Sequence, residues 1–123
     1  EETTLFQIWV LPDAQGGAPS WGQRAFPKGD RAGQWVTLAS GQGDGDALPI
    51  RADARVLGAT LNAGEALTLD ADPARHLYLV PATGAITVNG IAANARDGVA
   101  ITGESQITIH ASENAELVLV DAR

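Results

Sequence analysis

Apolar residues in this chain return at every second position, in short runs that end at Gly, Pro, Asn or Asp. Gln-Ile-Thr-Ile-His-Ala from Gln106 is a clear example. Successive side chains of a pleated strand point to opposite faces, so a period of two marks half-buried strands and argues against amphipathic helices. Such runs fall at 6–11, 23–26, 35–39, 50–52, 55–61, 66–69, 76–80, 85–88, 98–101, 106–111 and 116–120. Short strands in this number bury their apolar faces by stacking two sheets or by closing one, so an all-β sandwich or barrel is expected. Asn89-Gly90, between Ile-Thr-Val and Ile-Ala-Ala, predicts a two-residue type I′ hairpin. Residues 12–22 and 40–49 read as loops, and no internal repeat or helix of more than two turns is expected.

The size of the chain, 123 residues, fits one domain, which buries roughly two thirds of its unfolded surface. A formal charge of -7, with only eight scattered Lys and Arg, opposes nucleic-acid binding, which draws its affinity from clustered cations. The absence of cysteine excludes a disulfide framework, a zinc–thiolate site and a thiol nucleophile. No apolar run nears the roughly 20 residues that span a bilayer. The first residues, Glu-Glu-Thr-Thr-Leu-Phe-Gln-Ile-Trp, lack the layout of a signal peptide. A cytoplasmic protein with neither a nucleic-acid nor a membrane partner is expected. The sequence also contains no methionine, even at position 1, which suggests a piece of a longer polypeptide.

Several residue sets invite a chemical reading. Asp44 and Asp46, in a glycine-rich stretch, suggest calcium, but the third oxygen ligand and the distal Glu of an EF-hand loop are missing. A single Gly-Gln-Gly-Asp-Gly-Asp also falls short of a stacked calcium β-roll, so a solvated turn is expected. No Gly-x-Ser-x-Gly elbow is present, and His76 and His110 lie on different predicted strands. Trp9, Trp21 and Trp35, with Phe6 and Phe26, could stack a planar ligand or pack a core or a neighbouring domain.

The stretch from Gly64 to Gly84, GEALTLDADPARHLYLVPATG, resembles the metal-binding motif of cupins: Gly, five residues, His, one residue, His, three or four residues, Glu, six residues, Gly. Here the same count places Asp70, Asp72 and Leu77 where His, His and Glu belong. Gly98 opens a segment similar to the second cupin motif, with Glu104 at its proline position, Ile109 at its histidine position and His110 one step late. LFQIWVLPDAQGGAPSWGQRAF, VTLASGQGDGDALPIRADARV, ITVNG and ITIHASENAELVLVDA resemble the second half of pirin-like bicupins of the quercetin 2,3-dioxygenase family. The resemblance implies a cupin-type β-sandwich barrel, or jelly roll. It also implies that a divalent transition metal belongs to the first cupin of the polypeptide, and that the second has lost its ligands. No catalytic residue carries over, because the receiving positions hold Asp70, Asp72, Leu77 and Ile109.

Alternation bears on the same point independently. Ile107, Ile109 and Ala111 share one face, as do Leu77 and Leu79, which turns His110 and His76 outward. Asp70 and Asp72 alternate with Leu67 and Leu69, and two unpaired buried carboxylates would cost several kcal/mol, so they are expected in solvent. The leading expectation is a metal-free, non-catalytic C-terminal cupin, without a cofactor of its own, whose partner is the N-terminal cupin of the same polypeptide. Residues 1–27 would form an inter-domain segment with the first strands, and 28–123 the barrel. Phe6, Ile8, Trp9 and Val10 are a candidate interface, towards that partner or a second copy. Two alternatives stay open: a stand-alone cupin binding a small molecule in its interior, and a degenerate metal-dependent dioxygenase using Asp70, Asp72 and His110.

Overall fold

The computed structural model describes residues 6, 8, 31–41 and 47–122. These form ten strands: β1 (Val36–Ser40), β2 (Leu48–Pro49), β3 (Ala54–Leu61), β4 (Ala66–Asp70), β5 (His76–Thr83), β6 (Ile86–Val88), β7 (Ile91–Ala93), β8 (Val99–Thr102), β9 (Gln106–Ala111) and β10 (Ala115–Ala122). They make a six-stranded sheet in the order β2-β1-β3-β10-β5-β8 and a four-stranded sheet in the order β4-β9-β6-β7. All the pairings are antiparallel except β1 with β2. The chain is thus an all-β sandwich, and among the described residues no helix is long and apolar enough to cross a membrane.

The predicted strands at 6–11 and 23–26, the loop at 12–22, Asp44 and Asp46, and the division near residue 27 lie outside the described residues. Phe6 and Ile8 are the exceptions, standing 43% and 42% exposed. The strand expected at 50–52 is corrected: the pairing residues are Leu48–Pro49, and residues 51–53 run through bends. Pro49 brings no N–H to a ladder. Ile50 donates its N–H back to the Ser40 carbonyl at 3.1 Å, and the Ala52 carbonyl lies where a Cβ on Gly41 would sit. The chain therefore folds onto the end of β1 instead of running on.

The Asn89-Gly90 hairpin forms as its sequence requires. Asn89 has φ 47° and Gly90 φ 85°, and Val88 pairs with Ile91. Both central residues of a type I′ turn need positive φ.

Between the sheets lies one aliphatic core. Leu57, Ala59 and Leu61 of β3, Leu77 and Leu79 of β5, Ile101 of β8, and Leu117 and Leu119 of β10 meet Ile86 and Val88 of β6, Ala93 of β7, and Ile107, Ile109 and Ala111 of β9. Trp35, Leu67 and Leu69 pack against it from the margin.

Registers fix what each sheet turns away from the core. On the four-stranded sheet, Thr68 pairs with Thr108, Asp70 with Gln106, and His110 with Ala66 and Thr87, giving a polar outer face. On the six-stranded sheet, Val118 lies between Gly58 and Val80, and Val120 between Val56 and Tyr78, giving an apolar one.

Candidate functional site

The two glycines that bracket the motif-like stretch hold turns. Gly64, φ 87°, lies between β3 and β4, where its N–H donates to the Ala111 carbonyl at 2.8 Å. The same turn is tied by Asn62 N–H to Glu65 Oε1 at 2.6 Å and by Ala63 N–H to Asn114 Oδ1 at 2.9 Å. Gly84 combines φ 81° with a close approach, since a Cβ there would overlap the Asn114 carbonyl oxygen. Both positions need glycine whether or not a metal is bound.

The four motif positions, three inside that bracket and Ile109 on β9, part company. Leu77, 5% exposed, and Ile109, fully buried, belong to the core between the sheets. Asp70 and Asp72 are exposed, on the side opposite Leu67 and Leu69. Asp72 shapes its own turn, its Oδ1 accepting from Ala74 N–H at 2.9 Å and its carbonyl from Arg75 N–H at 3.0 Å.

His76 and His110 are exposed, on the outer faces of different sheets. His110 pairs with Ala66, four residues along β4 from Asp70, a separation of about 13 Å at the usual strand rise. Asp70, Asp72 and His110 therefore do not converge. Among the described residues no group of three or more His, Asp or Glu could hold a metal. A first-row metal in a cupin cage needs imidazole nitrogens and carboxylate oxygens aimed inward at one point. The side chains present do not fit one. Of the aromatic set, Trp35 packs against the core, and Trp9, Trp21 and Phe26 lie outside the described residues.

The sequence reading missed a charged cluster at one end of the sandwich. Asp121 lies between Arg55 and Leu77 in the sheet, on the face that carries Leu117 and Leu119 inward, and is buried. Its Oδ2 accepts from Arg55 Nη2 at 2.8 Å and its Oδ1 from Arg75 Nε at 2.6 Å. Arg75 also gives Nη1 to Asp53 Oδ1 at 2.8 Å and Nη2 to the Asp53 carbonyl at 2.9 Å. The bond to Asp121 is the main influence raising the Arg75 pKa, opposed by burial and aided by Asp53. With both Asp121 oxygens taken by guanidinium groups, which keep their protons, the cluster is no acid–base pair. It clamps β3, β10 and the turn before β5 at the mouth of the core.

The family described as quercetinase C-terminal cupin domain matches residues 37–122. A pirin-like protein of Caulobacter vibrioides is 63% identical over 99% of this chain and 53% of its own length. A quercetin 2,3-dioxygenase of Escherichia coli K12 is 31% identical over 98% of this chain and 51% of its own. The crystal structure of YhhW from Escherichia coli superposes with a TM-score of 0.85 at 27% identity, covering 94% of this chain and 48% of that one. A second structure, of bacterial pirin YhhW in complex with nickel(II), gives 0.84 at 26%, covering 93% and 48%. The chain thus spans about half the length of the curated relatives it matches.

Proposed function

Since the chain belongs to the pirin-like quercetin 2,3-dioxygenase family as a C-terminal cupin domain, we propose that it is the metal-free, non-catalytic half of a two-cupin polypeptide. Its role is to pack against and support a catalytic N-terminal cupin. The observation that carries this reading is the divergence of the four motif positions: two aliphatic side chains in the core, two carboxylates in solvent. Restoring a cage would take more than exchanging side chains, because Asp70 leaves β4 on the wrong face and Asp72 sits in the exposed turn beyond it. The length of the relatives supports the second half of the proposal, since they have room for one more domain of similar size. In this reading residues 1–27 join the two domains, and any divalent metal and dioxygenase chemistry reside in the companion. The interior, where a stand-alone binding module would need its pocket, is occupied by Leu77, Leu79, Ile107, Ile109, Leu117 and Leu119.

The test compares the isolated chain with the polypeptide encoded by its native reading frame, measuring bound metal after dialysis and oxygen uptake with quercetin. The isolated chain is expected to fold, hold no stoichiometric transition metal and consume no oxygen, with the metal confined to the remainder of the longer protein. Metal-dependent quercetin cleavage by the isolated chain, abolished by Asp70→Ala or Asp72→Ala, would overturn the proposal.

A further inference from the structure

We propose that the companion domain docks on the outer face of the six-stranded sheet, an inference that rests on the two-domain reading above. The two sheets differ in what they turn outward. Thr68, Asp70, Thr87, Gln106, Thr108 and His110 make one outer face that suits water. On the other, the central strands β3, β10 and β5 present Val56, Val118, Val120 and Val80 side by side. From Val118 onward the outward residues of β10 are Val118, Val120 and Ala122, while Leu117 and Leu119 face the core. A strand apolar on both sides is the pattern of a sheet covered on both sides.

Tyr78 stands at the rim of this face, paired with Val120 and Ala100 and 51% exposed. A Cβ on Gly98 would strike its ring and hydroxyl, so the glycine leaves room for the ring to lie flat there. A part-exposed, pre-positioned tyrosine beside valines is a composition that interfaces favour. The charges on this face stand at its margins: Glu116 opens β10 between Thr60 and Thr83, and the Arg31 side chain lies with Leu38 over Gly58.

The occupant follows from chain length. This chain accounts for 53% of the Caulobacter relative, leaving about one more domain of similar size. Domains joined in one polypeptide meet at high effective concentration, so a modest patch holds them.

These 123 residues contain no cysteine, so a thiol introduced here is mapped without ambiguity to its own peptide. Tyr78→Cys and, on the polar sheet, Thr108→Cys are made in the isolated chain and in the native full-length polypeptide. Labelling at each site is followed by peptide mass mapping, and circular dichroism checks each fold. We expect the thiol of Tyr78→Cys to label about tenfold more slowly in the full-length protein than in the isolated chain, and that of Thr108→Cys to label equally in both. Adding Val118→Lys to full-length Tyr78→Cys should restore the fast rate. Equal rates at position 78, or protection at 108 alone, would overturn the docking face. So would protection at 78 in the isolated chain that grows with its concentration alongside a doubled mass, because the occupant is then a second copy. A full-length protein that protects position 78 yet consumes no oxygen would refute a catalytic companion and leave the docking face standing. A native reading frame without a second domain would refute both.

Discussion

At the scale of single residues, the closing charge cluster shows how side chains of one type divide by partner. Asp121 is buried against two guanidinium groups, whereas Asp70 and Asp72 are exposed. Asp121→Ala leaves Arg55 and Arg75 at the edge of the core without their shared carboxylate, and is expected to lower unfolding free energy by about 3 kcal/mol in urea titrations. His110→Ala, on the exposed polar face, is expected to change it by no more than about 0.5 kcal/mol. The raised Arg75 pKa sets a sign for pH dependence. Its stabilising contribution is complete below the ordinary guanidinium range and is lost only as pH climbs through the higher folded-state value. A titration from pH 7 to about 10 should therefore reveal no loss of stability from Arg75. The inward turn of His110's neighbours was legible from alternation, because Ile107, Ile109 and Ala111 are unambiguous. Asp121 was not, although it has the parity of Leu117 and Leu119. A charged residue at an inward parity near a strand end is the signal that would have found it, with Arg55, in step with Leu57, as its partner.

At the scale of elements, the bracketing glycines serve the strands they separate. Gly84→Ala meets both a left-handed backbone and the Asn114 carbonyl. Thermal and urea unfolding should show a loss of more than about 2 kcal/mol. Gly64→Ala meets only the backbone term, with nothing within 4 Å of the added methyl, and should cost about 1 kcal/mol. A reversed order would mean that the bracket is kept for something other than turn geometry. Most strands were legible because each carries several alternating residues between turn formers, and the Asn89-Gly90 hairpin because few other dipeptides accept two positive φ values. The strand expected at 50–52 failed for a physical reason. A two-residue parallel pairing at Leu48–Pro49 has no period to detect, and what ends it is the Gly41–Ala52 backbone contact, remote in sequence.

At the scale of the whole molecule, aliphatic side chains fill the centre of the sandwich. Replacing Asp70 and Asp72 by His, Leu77 by Glu and Ile109 by His should not create a nickel site in the isolated chain. One of the four donors would still leave β4 away from the core, one would sit in the exposed turn beyond it, and two would be buried unpaired, at a cost of several kcal/mol. Equilibrium dialysis against nickel(II) checks this, and tight stoichiometric binding would show that β4 can shift its register by one residue. The sandwich could be read from the pattern of strands, but the outer face of its larger sheet could not. Val56, Val80, Val118 and Val120 become neighbours only once β10 has slotted between β3 and β5. That placement sets the order of events during synthesis. The six-stranded sheet lacks a central member until the last described strand has left the ribosome, so β3 and β5, though made earlier, have no partner between them. A chain stopped after Asn114 should remain unfolded on the ribosome, open to proteases and chaperones, and emergence of β10 should trigger folding in one step.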